Sequence, residues 1–309
     1  LDALSTPRAV VHGLDVVARD LLYRQGRLRE AIPVLERLVR EGERRGSFTA
    51  RVEGLAQLSL CRLQLGEFVA AGADLAAARE LVGRLGREHR LHLVVEVAAA
   101  TLHGYIRGHH EFASIAEAAV RASGDALLGR GPLGPTIGGL AALATALVGD
   151  RDTALRIARV LGSGLERIEP TAYIANGAAF NGSAALWELG AAEHAPVFRR
   201  VALRMIEAGV TGGPCCSLEL VVARMAALCG DVEDALAWMD RARDHLEQAG
   251  YLPLLAIAAY DEARIAAAHY RPRSRRALLR ARQAFQDLGM DGWARRAASA
   301  PTRGRRPRS

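Results

Sequence analysis

The sequence predicts an all-α chain built as an array of about seven stacked helical hairpins. Three observations carry that expectation. A glycine followed five residues later by an alanine occurs at Gly26/Ala31, Gly66/Ala71, Gly108/Ala113, Gly149/Ala154, Gly190/Ala195 and Gly230/Ala235, and a copy with proline for glycine follows at Pro272/Ala277. The gaps between copies are 40, 42, 41, 41, 40 and 42 residues. Self-similarity at a fixed period of this size is the mark of a repeat architecture. Composition agrees: half the residues are hydrophobic but only 5% are aromatic, so Ala and Leu dominate, which suits close helix packing better than a β-sheet. A chain of 309 residues would ordinarily suggest two domains, but an array grows in one dimension and escapes that count. We expect residues 1–298 to form the array and 299–309 a basic flexible tail or linker.

Each copy reads as two helices around its glycine. First helices end there, as in GLDVVARDLLYRQG, RVEGLAQLSLCRLQLG, LVVEVAAATLHGYIRG, IGGLAALATALVG, NGSAALWELG and LELVVARMAALCG. Second helices begin just after it, as in RLREAIPVLERLVREG and DVEDALAWMDRARDHLEQAG. Glycine past a helix end supplies the left-handed backbone position that closes the helix. Asp150 and Asp231 are placed to cap the next helix, with Asp152, Glu233 and Asp234 near its positive end. The alanine five residues on faces the first helix, where only a small side chain lets two backbones approach. Apolar residues follow at helical spacing, such as Leu236, Met239 and Leu246, or Leu155, Ile157 and Leu161. GRGPLGPTIGG (Gly129 to Gly139) and GVTGGP (Gly209 to Pro214) read as loops between repeats. APTRGRRPRS, from Ala300, is polar, basic and without periodicity.

The pattern resembles tetratricopeptide repeats, in which a turn residue separates two helices and a small residue follows five positions on. The small residue expected seven before the glycine is also present, as Ser59, Thr101, Ala142, Ser183 and Ala223, while Arg19 and Ile265 depart from it. The period exceeds the usual ~34 residues and no closing proline is present. Those departures resemble the long-helix variant in the superhelical arm of bacterial signal-transduction ATPases: LuxR-type and maltose-regulator-like transcription factors, and AAA modules fused to nucleotide cyclases. ALLRARQAFQDLGMDGWARRA, Ala277 to Ala297, is similar to the last repeat of such arms, and APTRGRRPRS resembles the linker that precedes a helix-turn-helix domain in LuxR-type members. The resemblance implies a right-handed superhelix that is non-catalytic, binds a protein or peptide partner or a small inducer in its concave groove, and touches DNA only through a module absent from this chain. A stand-alone scaffold, or the regulatory arm of a cyclase, are the alternatives.

Mapping the groove positions of tetratricopeptide repeats onto the first helices gives Tyr23, Arg24, Gln57, Gln64, Tyr105, Asn181, Trp187 and Arg224 as candidate ligand or partner residues. Asn181 and Trp187 put an amide and an indole on an otherwise Ala-rich face, although Trp187 also fits a place in the repeat core.

Chemistry is constrained by what the chain lacks. All 41 basic residues are arginine, so neither a Walker A lysine nor lysine Schiff-base chemistry is available. From Arg271 to the end there are 12 Arg against Asp287 and Asp291, a net of +10, whereas the rest of the chain is −3. A basic face along the repeats, as nucleic-acid tracking requires, is therefore not expected. Cys61 and Cys229 lie in apolar helical stretches and read as buried small residues. Adjacent Cys215 and Cys216 lack metal or redox spacing. With no evident signal peptide these suggest a reducing, cytoplasmic setting. The uncharged run Gly131 to Val148 is interrupted by prolines and glycines, and its apolar part is shorter than the ~20 residues of a membrane span, so a buried helix is expected. His89, His92, His103, His109 and His110 cluster without nearby cysteines and read as surface or turn residues and not as a metal site. Ser163, in GSG, lacks the strand-turn-helix setting of a nucleophile elbow. No catalytic constellation and no cofactor are expected.

Overall fold

The computed structural model describes residues 7–85, 90–106, 108, 111–114, 134–172, 174–213 and 215–299, and all regular structure among them is helical. The helices are α1 (Pro7–Arg19), continued by a π-helical turn (Asp20–Arg24), α2 (Leu28–Arg44), α3 (Phe48–Gln64), α4 (Phe68–Val82), α5 (Arg90–Ile106), α6 (Gly134–Leu147), α7 (Arg151–Leu165), α8 (Ile174–Leu189), α9 (Ala195–Glu207), α10 (Leu218–Leu228), α11 (Val232–Ala249), α12 (Leu252–Ala266), α13 (Arg271–Asp287) and α14 (Asp291–Ser299). They pack in adjacent pairs, α1 with α2, α3 with α4, α6 with α7, α8 with α9, α10 with α11 and α12 with α13, and further contacts join α2 to α3, α4 to α5, α7 to α8, α9 to α10 and α11 to α12. No helix among the described residues is long and apolar enough to cross a membrane.

Four of the glycine turns share one geometry. Gly230 has φ +87°, its N–H donates to Ala227 O and the following Asp231 N–H to Ala226 O. This paired closure of a helix end requires the left-handed backbone that glycine adopts without a Cβ clash. The same two bonds recur around Gly66, Gly149 and Gly190. The first copy differs: Arg27 N–H reaches back six residues to Leu21 O, because one extra residue is accommodated in the π-helical turn. In the seventh copy Pro272 sits in the first turn of α13.

The seven paired alanines are all buried, six of them completely and Ala113 at 4% exposure. Ser59, at the other small-residue position, donates its hydroxyl proton to the carbonyl of Ala71 at 2.8 Å. The backbones of α3 and α4 thus approach within the length of one serine side chain at the place where the sequence puts two small residues.

Four local expectations are corrected. Asp150 does cap, accepting from Thr153 N–H at 3.1 Å, but Asp231 does not cap, since its carboxylate is taken by Arg199. Cys229 is exposed, because it lies past the last residue of α10. The stretch Gly129 to Gly139 is not a loop throughout: α6 begins at Gly134, and residues 129–133 lie outside the described part. After Gly190 the second helix starts only at Ala195.

Arginines tie neighbouring helices together. Arg62 of α3 spans Glu36 of α2 and Asp74 of α4, and Arg273 of α13 spans Asp240 of α11 and Glu262 of α12. A planar guanidinium can hold two carboxylates at once, and for Asp74 and Glu262, which are buried, it is the counter-charge that makes burial tolerable.

The last helices return to the first part of the chain. The Tyr251 hydroxyl, buried ahead of α12, donates to the Gly26 carbonyl at 2.9 Å. The Trp293 indole N–H of α14 donates to Gly104 O of α5 at 2.9 Å. Gly108 lies so close to Gly292 that a Cβ on it would stand 2.8 Å from the Gly292 Cα. Contacts of α12 with α3 and of α14 with α5 complete this seam.

Two predictions follow from packing and charge. Ala235→Leu should overpack the α10–α11 contact and lower stability by about 1–3 kcal/mol in urea unfolding. The second concerns His245 of α11, whose Nδ1 lies 3.0 Å from Glu219 Oε1 of α10. The hydrogen bond to Glu219 raises the His245 pKa above 6.5 against the opposing effect of burial. Burial pushes Glu219 upward, but the bond to His245, the imidazolium charge, its own backbone N–H and the Ser217 hydroxyl together bring it below 4.5. The histidine's contribution is complete below pH 6.5 and is lost as pH rises through its raised value. The glutamate's is complete above pH 4.5 and is lost as pH falls through its lowered value. His245→Gln should therefore flatten the decline in melting temperature that the wild type shows as pH rises above 6.5.

Candidate functional site

The first helices of the pairs face a common cavity of about 260 Å³. Arg19 of α1, Glu53 and Gln57 of α3, Val94 and Thr101 of α5, Ile137 and Leu143 of α6, Arg224 of α10 and Ile257 and Asp261 of α12 reach it, as do Trp293 of α14 and the loop residues Cys215 and Cys216. Helix α8 contributes a whole stripe: Asn176, Gly177, Phe180, Asn181, Ala184 and Glu188, the spacing of one face of a helix. Because the seam brings α12 and α14 against α3 and α5, the walls come from both halves of the chain.

The polar part of the wall is organised by one carboxylate. Asp261 is 2% exposed. It accepts from Arg224 Nε at 2.8 Å and Nη2 at 2.6 Å, and from the Trp187 indole N–H at 2.8 Å. Arg264 lies 3.6 Å from its other oxygen and covers the Trp187 ring at 4.3 Å. Arg264 continues to Glu188, which also binds Arg296. The Arg224 guanidinium stands over the Phe180 ring at 5.3 Å. A buried charge is tolerable only when it is paired in this way. Two polar groups in the wall remain unspent: Arg224 Nη1, and both amide atoms of Asn176, which is 1% exposed. Such groups cost stability unless something satisfies them.

Cys215 and Cys216 are both buried, and Cys215 holds the uncommon φ of +63°. Burial pushes the Cys216 thiol up to about 12 and that of Cys215 well above its ordinary value, the neighbouring thiols adding to the latter. Both remain protonated at neutral pH and are poor nucleophiles.

Of the residues expected in the groove, Gln57, Asn181 and Arg224 line the cavity. Gln64 does not: it is fully buried near the end of α3, with neither amide atom partnered. Trp187 is a buried residue behind the wall, its N–H committed to Asp261. The side chains of Tyr23, Arg24 and Tyr105 lie outside the described residues, as do His89, His109, His110 and the tail from Ala300. His92 Nε2 is 3.1 Å from the Leu85 carbonyl. No group of three metal-ligating residues occurs among the described residues.

Sequence reasoning missed Asn176, Glu188 and Asp261. The signal for Asp261 was an acid four residues after Ile257, a charge on an apolar helical face. Arg19 carried a clearer signal, since it breaks the small-residue rule, and it reaches the cavity wall bonded to Asp15 and Glu53.

Comparison with protein-family models gives no match, and comparison with curated proteins gives no significant similarity either.

Asp261→Ala should leave Arg224 buried without its counter-charge and cost about 3–5 kcal/mol, whereas Trp187→Phe should cost about 1.5–3 kcal/mol for one hydrogen bond to a charged group. Urea unfolding of the two variants checks the order, and a larger loss for Trp187→Phe would contradict the central role of Asp261.

Proposed function

We propose that this chain is a non-catalytic, ligand-sensing and protein-interaction arm: a tetratricopeptide-like, right-handed superhelical array belonging to a bacterial LuxR-type transcriptional regulator. The observation that carries the sensing role is the cavity itself. It has apolar walls, unspent polar groups on a buried face, and linings from the first and last helical pairs together. Pockets of this size and mixed character are suited to small molecules. A ligand held there touches both sides of the seam, so its binding free energy is available to hold the two ends together.

Membership in a transcriptional regulator rests on the similarity of Ala277–Ala297 to the last repeat of such arms and of the basic residues after Ala300 to their linker. On this reading DNA is bound by another module. The chain contributes no Walker A lysine, so the arm itself is not expected to bind ATP.

A thermal-shift screen of the purified chain against a broad metabolite library tests the sensing role. A true inducer raises the melting temperature in a concentration-dependent way, by about 2.7 kcal/mol of added stability at a hundred times its Kd. Ala184→Phe, which fills the cavity from α8, should keep the fold and lose that shift. A chain that no small molecule stabilises, yet that captures a protein partner, would instead be a scaffold.

A further inference from the structure

The geometry points to a ligand class: we propose that the cavity takes a small apolar monocarboxylate, its carboxylate held between Arg224 and Asn176. This rests on the sensing role above and goes on to the chemistry of the ligand. Asp261 engages Arg224 through Nε and Nη2 alone. The third nitrogen, Nη1, is buried and has no partner, on a side chain that is 4% exposed. It offers two N–H donors to the cavity wall. Asn176 brings an amide N–H2 that is equally buried and unpartnered. The two groups share one wall: Asn176 lies one helical turn before Phe180, and the Phe180 ring carries the Arg224 guanidinium. Asn176 and Gly177 also belong to the first turn of α8, where the helix dipole favours a negative group.

Charge agrees with geometry. The guanidinium groups of Arg224, Arg264 and Arg296 gather around this wall with Asp261 and Glu188. A single carboxylate fits beside such groups, whereas a dicarboxylate would have to bury its second charge among the apolar side chains of the lining. Much of the rest of the lining, including Leu60, Val97 and Ile257, is apolar, with Gln57, Thr101, Thr136 and Asn181 as its neutral polar members. A dry cavity of about 150 Å³ accepts benzene, so about 260 Å³ leaves room for one ring or a medium alkyl chain with its carboxylate.

The test is calorimetric titration of the full chain with phenylacetate and hexanoate, each beside its neutral amide, and with adipate as the dicarboxylate. The acids should bind about tenfold or more tightly than their amides, the margin of a charge-assisted hydrogen bond, and adipate should bind more weakly than hexanoate. Asn176→Leu removes two unpartnered buried atoms, so its melting temperature should hold or rise while its affinity for the acids falls about tenfold. Arg224→Lys keeps a cation but loses the free edge of the fork and should weaken binding likewise, with circular dichroism verifying its fold. Amides that bind as well as acids, or an Asn176→Leu variant that binds acids as the wild type does, would overturn the carboxylate assignment and leave the sensing role standing. Absence of binding by both acids and amides also overturns it, and the sensing role then rests on the library screen alone.

Discussion

The contact on which this structure depends is the close approach of two helix backbones at a pair of small residues. Wherever a glycine turn ends a first helix, an alanine on the second helix is buried against it. In the second pair a serine fills the remaining gap by donating to the alanine's carbonyl. A larger residue at either place would push the helices apart, and the displacement would pass to the helices that pack on that pair, as α5 packs on α3 and α4. The repeat is therefore a steric rule before it is anything else.

That rule frees the other face of the first helices. With the small residues turned toward the second helices, the opposite face can carry residues that differ from copy to copy, and these meet around the cavity. Asp261 shows what such variation can build. One buried carboxylate gathers an indole and two guanidinium groups from three helices, and in doing so fixes Arg224 with one edge unused. The absence of lysine fits this style of construction, since a guanidinium serves two partners where an ammonium acts as a point charge.

The architecture was legible in the sequence because steric rules recur: glycine, alanine and the 41-residue spacing repeat, and repetition separates signal from chance. The cavity was legible in part. Gln57, Asn181 and Arg224 were reached by counting along the first helices, since their register is set by the same repeat. Asn176 and Asp261 were not, because each occurs once, and the role of Asp261 depends on a partner 74 residues away along the chain. Trp187 shows the opposite failure: an indole is conspicuous in a sequence of small residues, yet its N–H is spent inside the wall. The failed cap at Asp231 has the same origin, a competing arginine 32 residues away that local spacing cannot reveal.

The seam of Tyr251, Trp293 and the Gly108–Gly292 contact alters how such an array holds together. An open stack loses its outermost units first, since each terminal unit has a neighbour on one side only. Here α12 and α14 also pack on α3 and α5, so the last helices have neighbours besides the helix before them. Fraying from that end has to break the seam as well as the local packing, and the loss of one seam bond is felt at positions far apart in the chain.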